Sequence, residues 1–300
     1  MTDRRLLLVH AHPDDETLGT GVTMAKYADE GAKVTLVTCT LGEEGEVLVD
    51  SLGHLAAGHE DRLGEHRIGE LDAAMEALGV TDYVRLGGDG HYRDSGMLWD
   101  ENGHATARTE LRDGIFWSAD LLEAADLLVP IIRDRKPQVL ICYDEFGGYG
   151  HPDHVQAHRV AMYAYQLAGV PSYRPDLGEP WQVERVLWSA MSARRMRERI
   201  AALRAAGDTE TWKEFETAET PKMVSSDEAI AVEIDGQDYV DRKHAAMKAH
   251  ATQINLDDPF FTLGGTFGSE VWSREHFRLA AGKPFPGTGW ADDIFAGLDV

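Results

Sequence analysis

The tripeptide His-Pro-Asp occurs twice in this chain, within Ala11-His12-Pro13-Asp14-Asp15-Glu16 and within Gly150-His151-Pro152-Asp153-His154. Imidazoles and carboxylates this closely spaced can ligate a metal ion and move protons beside it. His12 and Asp15 are three apart across a turn, as are His151 and His154, so each pair can face one ion. Pro13 lacks a backbone donor and has a φ angle suited to a helix start. Three nitrogen or oxygen ligands, an open position for water and a spare carboxylate are the parts of a catalytic metal site. Zn²⁺ in such a set lowers the pKa of its water to about 7. Asp14 can reach that water without being a ligand. Of His151 and His154, one can complete the shell while the other faces a substrate. A carboxylate base contributes on the order of 10²–10⁴ in rate, and an imidazolium or a tyrosine hydroxyl stabilises the oxyanion formed at a carbonyl. An amide also needs its leaving nitrogen protonated. A histidinium can do this, and Asp153, next to His151, is the candidate to hold that ring and raise its pKa.

For the two copies to converge, both must occupy the same kind of place in the fold. Each follows an apolar, β-branched run (residues 6–9 and 139–142) and precedes a segment of helical spacing. The carboxyl ends of neighbouring parallel strands in an open α/β sheet open into one crevice. The first half of the chain alternates accordingly. Strands are expected at 6–10, 34–39, 83–86 and 139–143. Helices are marked by Leu18, Val22 and Ala25, by Ile68, Leu71, Met75 and Leu78, and by the apolar stretch 121–132, where Pro130 should kink or interrupt the helix. A further helix is expected over 154–168, stopped at Gly169. This order predicts an α/β fold, a Rossmann-like, mostly parallel sheet flanked by helices. No GxGxxG follows the first strand, so dinucleotide binding loses its main support. Beyond about Pro171 the rhythm changes to strands at 183–189 and 230–234, helices around Met196–Ile200–Leu203 and 239–250, and a charged loop or lid at 207–227. Residues 1–175 read as the metal-binding catalytic domain, and 176–300 as a smaller α+β domain completing the substrate cleft.

Composition narrows the partners. With 43% hydrophobic and 27% charged residues the chain is globular in type, and a formal charge of −23 repels nucleic acid and anionic membranes. No apolar stretch approaches the roughly 18–20 residues that span a bilayer. The amino terminus lacks a signal-peptide core, which points to the cytoplasm. Cys39 and Cys142, without a Cys-x-x-Cys spacing, read as small buried hydrophobes, and His10 reads as a buried strand residue. Taken alone, Glu43, Glu44 and Glu46 read as a solvated loop, Arg67 and Glu70 as a surface helix pair, and residues 93–96 as an ordinary turn.

Together with residues 37–47, 67–71, 93–97, 147–154 and 249–253, the two motifs resemble the LmbE-like family of zinc-dependent N-deacetylases, over residues 6 to about 255. The resemblance is strongest to members that deacetylate N-acetylglucosaminyl inositol in mycothiol biosynthesis. It implies His12, Asp15 and His154 as ligands of one Zn²⁺ per subunit and Asp14 as general base. It implies His151 as acid and oxyanion partner, positioned by Asp153, and Tyr149 as a mobile carbonyl-polarising residue. Glu46, Arg67 and Asp94 fall where the family contacts the sugar or inositol, so the partner implied is a small amino-sugar inositol. A two-histidine, one-aspartate set also suits Fe²⁺. Residues 100–104 and 207–227 have no counterpart in the family pattern. The alternative within the family is a mycothiol S-conjugate amidase, whose relatives tend to carry a basic residue where this chain has Glu44. A non-catalytic sugar- or metal-binding protein would need neither Asp14 nor His151.

Overall fold

Strand β1 (Arg5–His10) is apolar from Leu6 to Val9, and its side chains alternate between two cores, as a strand buried on both faces requires. Leu6 and Leu8 share one core with Met24 and Tyr27 of α1 (Asp15–Asp29) and Leu71 and Met75 of α2 (Leu63–Leu78). Leu7 and Val9 share the other with Leu128 and Val129 of α3 (Leu121–Arg135) and Val160 and Ala161 of α4 (Pro152–Ala168). Burying each such leucine contributes about 1.5–3 kcal/mol.

The computed structural model describes residues 3–101, 104–205, 207–210, 213, 224–256 and 272–300. The further strands are β2 (Lys33–Thr38), β3 (Asp82–Arg85), the short hairpin β4 (Leu98–Trp99) and β5 (Ala105–Thr106), β6 (Val139–Cys142), β7 (Arg185–Ser192), β8 (Val224–Ser225), β9 (Val232–Asp235) and β10 (Arg274–Gly282). The main sheet runs β3-β2-β1-β6-β7-β10-β9, with β8 on the end of β7. Strands β3 to β7 of that order are parallel, in the register Arg5↔Lys33 and Leu6↔Val139, while β10 is antiparallel to both β7 and β9. This is the expected α/β architecture. The chain moves outward from β1 to β3, then returns to the other side of β1 as β6. The switch point between β1 and β6 opens a crevice at their carboxyl ends, and both His-Pro-Asp motifs follow those ends.

The expected boundary near residue 175 falls between α4 and β7. The strands beyond it, β7, β9 and β10, hydrogen-bond into the same sheet, and among the described residues two helices follow, α5 (Ala193–Ala205) and α6 (Val240–Ala249). Helix α6 packs on α1 and α2. Pro130, expected to kink or interrupt the helix, does not interrupt it: α3 runs through it. A proline inside a helix removes one backbone bond. Here Asp120 caps the helix start through the N–H groups of Leu122 and Glu123, both at 2.9 Å, and the face bearing Ala124, Leu128 and Ile132 is fully buried. Cys39 and Cys142 are free and buried, as expected, and burial pushes both thiols up. Most of the 207–227 loop, and residues 102–103, lie outside the described residues. Among the described residues no helix is long and apolar enough to cross a membrane.

Candidate metal centre

After β1 the chain is tied to the strand beside it. The carbonyls of His10 and Ala11 accept the N–H groups of Cys39 and Thr40, both at 2.9 Å, which fixes where His12 emerges. Asp15 then opens α1, and its carboxylate joins the two motifs. Oδ2 accepts the His12 N–H at 3.0 Å and the Tyr143 hydroxyl at 2.7 Å and lies 3.2 Å from His12 Nδ1, while Oδ1 lies 3.3 Å from His154 Nε2. Tyr143 also accepts the Ala11 N–H at 2.9 Å. The residues separated most widely in sequence are thus brought into one buried cluster. The ring centroids of His12, His151 and His154 lie 4.6–5.3 Å apart.

This cluster suits a cation. His154 Nδ1 lies 3.2 Å from the Gly147 carbonyl, so the neutral ring keeps its proton there and presents a lone pair at Nε2. Apart from the Asp15 Oδ1 at 3.3 Å, that Nε2 is buried with no hydrogen-bond partner among the described residues. His12 Nε2 is flanked by Asp153 at 3.3 Å and Asp94 at 3.5 Å. Two overlapping groups, His12 with His151 and His154, and His12 with Asp94 and Asp153, place their donor atoms within 4.8 Å of one another. Mixed imidazole and carboxylate donors are those that zinc and other borderline divalent ions take. The electrostatics agree. Burial opposes a charge on His12, yet Asp94, Asp15 and Asp153 hold its imidazole well above the ordinary range. Burial would raise Asp15, but His154 and His12 hold it well below. His151 is driven the other way, down to about 2, by burial and then by His12 and His154.

The expected contact between the Asp153 carboxylate and His151 is not formed. That carboxylate accepts the Ser95 N–H at 2.8 Å and the Ser95 hydroxyl, and faces His12. What Asp153 gives His151 is its backbone N–H, donated to Nδ1 at 3.1 Å, so the neutral His151 ring carries its proton on Nε2. Tyr149 sits in a single helical turn, Gly147–Gly150, with its ring 5.1 Å from His154 and 6.2 Å from His151. The turn needs its glycines: Gly147 has φ +64°, and a Cβ there would lie 2.7 Å from His154 Cβ.

Asp14 adopts φ 112°, outside the range of ordinary non-glycine residues. Arg67, only 2% exposed, donates to Asp14 Oδ2 and to the Gly42 carbonyl, both at 2.9 Å, and to the Pro13 carbonyl. Burial raises the Asp14 carboxyl to about 6 against the pull of Arg67. Arg67 and Glu70 are therefore not a surface pair. Glu70 accepts the Thr252 N–H and hydroxyl at 2.8 and 2.7 Å. The 43–46 loop is only partly solvated. Glu43 accepts the Asp94 N–H at 2.9 Å, and Glu44 meets Arg93, Arg108 and Arg112 within 3.2 Å, whereas Glu46 is exposed. Asp94, 4% exposed, accepts the N–H groups of Gly96 and Glu44. Sequence reasoning did not single out Tyr143, Ser95, Glu16 or His250. Tyr143 was reachable as the residue ending a strand beside the second motif. Glu16, Ser95 and His250 lie within the stretches 11–16, 93–97 and 249–253 that carry the resemblance, where no periodicity or spacing marks them individually.

Residues 7–165 match the family model described as PIG-L: GlcNAc-PI de-N-acetylase. The chain belongs to that family. It is 58% identical over 299 residues to a 1D-myo-inositol 2-acetamido-2-deoxy-alpha-D-glucopyranoside deacetylase of Nocardioides sp., an alignment covering 99% of each chain. It is 55% identical over 300 residues, again 99% of each, to the protein of that name in Kribbella flavida. Among solved structures it is similar to an N,N'-diacetylchitobiose deacetylase from Pyrococcus horikoshii, with TM-score 0.58 and 21% identity, covering 92% of this chain and 83% of that one. That likeness concerns the fold alone.

Proposed function

We propose that this chain removes the acetyl group of 1D-myo-inositol 2-acetamido-2-deoxy-α-D-glucopyranoside, giving acetate and the free amine, with Zn²⁺ as its ion. The observation that carries this reading is the Asp15 carboxylate facing both His12 and His154, with the buried His154 Nε2 approached by Asp15 Oδ1 at 3.3 Å and by no hydrogen-bond partner among the described residues. The names of relatives 58% and 55% identical over the full chain supply the substrate. His12, Asp15 and His154 are the residues that would hold the ion. A bound divalent ion acidifies a water and polarises an acyl oxygen.

The remaining work falls to the chain. Asp14, aimed by Arg67, takes the proton of the attacking water. His151, with its proton on Nε2, donates a hydrogen bond to the developing oxyanion. The proton that Asp14 takes from the water passes to the leaving nitrogen as the carbon–nitrogen bond breaks, because a neutral imidazole has no second proton to give. Asp153 keeps His151 in that tautomer through its backbone N–H and orients His12 through its carboxylate. Tyr149 closes on the acyl oxygen, and Glu46 and Asp94 take sugar and inositol hydroxyls. Arg67, expected at the sugar, is assigned instead to Asp14. A small polyol substrate suits a cytoplasmic enzyme.

The test is turnover by protein purified without air or added ions, its metal content measured first. Amine release from the acetylated pseudodisaccharide should exceed release from a bimane-labelled mycothiol conjugate. Faster cleavage of the conjugate would replace this reading with the amidase, and a full loading of iron would replace zinc.

A further inference from the structure

Behind Asp14 lies a second buried pair that takes no part in the chemistry above. Glu16 and His250 are both 0% exposed, with His250 Nε2 2.9 Å from Glu16 Oε1. The other carboxylate oxygen, Glu16 Oε2, accepts the backbone N–H of Asp14 at 2.9 Å, and Oε1 also takes the Thr17 hydroxyl at 2.6 Å. His250 Nδ1 is buried with no partner among the described residues, so the ring has one bond to make, and it makes it to Glu16.

The need for such a brace is visible in the Asp14 backbone. At φ 112° it occupies a conformation that is strained for a non-glycine residue and persists only where the surroundings over-determine it. Arg67 holds the carboxylate from one side, and Glu16 holds the amide from the other. His250 directly follows the last residue of α6, and its carbonyl accepts the N–H groups of Gln253 and Ile254 at 3.0 and 2.8 Å, forming the turn 250–254. That turn is tied to α2, where Thr252 bonds Glu70, and to the acidic loop, where Gln253 Nε2 donates to the Glu46 carbonyl at 3.0 Å. Arg67 and Glu70 lie three apart on α2, one holding Asp14 and the other Thr252. The hydrogen bonds close a circuit: Asp14 to Arg67, along α2 to Glu70, across to Thr252, along the turn to His250, and through Glu16 back to Asp14. His250 lies beyond residues 7–165, which match the family model, but within the stretch 249–253 that carries part of the resemblance.

We propose that Glu16 and His250 are positioning residues that hold Asp14 in its left-handed backbone conformation, which makes the turn 250–254 part of the device that aims the base. This rests on the reading of Asp14 as the base.

The experiment uses the full chain loaded with Zn²⁺. His250→Ala removes the donor, whereas His250→Gln keeps an amide N–H at similar reach. Misplacing a reacting group by about 1 Å can cost on the order of 10²-fold. His250→Ala should therefore lose roughly 10–100-fold in kcat, with KM within about twofold and metal content unchanged, and His250→Gln should recover most of the loss. In an Asp14→Asn background, His250→Ala should add less than about twofold, because both act through one group. Its crystal structure should show the Asp14 φ out of the positive region. Wild-type kcat in His250→Ala, a full multiplicative loss in the Asp14→Asn background, or activity lost in step with metal would each overturn the proposal. If His250→Ala does not fold, His250→Asn, whose amide stops short of Glu16, supplies the same comparison. Full turnover by Asp14→Asn alone would instead remove the reading on which the proposal rests.

Discussion

Asp14→Asn separates catalysis from metal binding and folding with one atom. Asparagine tolerates positive φ better than most residues, so the strained backbone at 112° can persist. Its amide oxygen can still accept from Arg67 Nη2, which now lies 2.9 Å from Asp14 Oδ2. What is lost is the basic carboxylate. General base catalysis supplies about 10²–10⁴ in rate, equivalent to about 3–5 kcal/mol of barrier, so kcat should fall by that factor. Metal content should remain that of the wild type, since Asp14 lies outside the proposed ligand set. Stability should move the other way. The Asp14 carboxyl is raised from 3.8 to about 6, chiefly by burial. A raised carboxyl binds its proton more tightly in the folded state. Its contribution is fully present below pH 3.8 and lost as pH rises through about 6. At pH 8 the metal-free wild type carries that loss, of order 3 kcal/mol at most, and the amide does not. Urea unfolding of the metal-stripped proteins at pH 8, beside amine release and metal analysis of the loaded ones, gives all three readouts. An Asp14→Asn protein that turns over at the wild-type rate with its metal in place would refute the assignment.

Three further outcomes are expected. His154→Ala should lose its metal, because it removes the buried Nε2 that faces Asp15 as one of three proposed ligands, and unchanged metal content on elemental analysis would refute its role as a ligand. Lys243→Met should destabilise the fold by about 3–5 kcal/mol. The Lys243–Glu275 pair, at 2.7 Å, is almost wholly buried, and among the described residues Glu275 is left holding the N–H groups of Val22 and Thr23; a melting temperature equal to the wild type would contradict this. Burial would raise Glu233, but hydrogen bonds from His276 and Arg195 lower it from 4.5 to about 2. Its stabilisation is present above pH 4.5 and lost as pH falls toward 2. Glu233→Gln should therefore be less stable than wild type at pH 7, with the gap closing in acid on denaturant titration.

Much of the site was legible in the chain itself because local chemistry announces it. The apolar runs before each motif have the composition of strands buried on both faces, and of the helically spaced Ile68, Leu71, Met75 and Leu78 the last three lie on the buried stripe of α2 while Ile68 is half-buried. Those two patterns carried the sheet order far enough to predict one crevice. Reading them did not require knowing which residues touch. Pro130 shows the limit of a local rule: a propensity worth a few kcal/mol yields to a capped and buried helix face.

What only the tertiary structure decided is where each hydrogen bond goes. Arg67 reads alike on a helix surface or at a sugar, and packing spends it on Asp14 and two carbonyls. Asp153 is adjacent to His151 in sequence, yet its carboxylate faces His12 and Ser95, because α4 begins there and only the backbone N–H points back. Glu16 and His250 meet across 234 positions, a separation at which no periodicity survives. Periodicity records which face of an element is buried. The partner of a buried polar group is set by the crossing of elements distant in the chain, and here those crossings determine how the base is held.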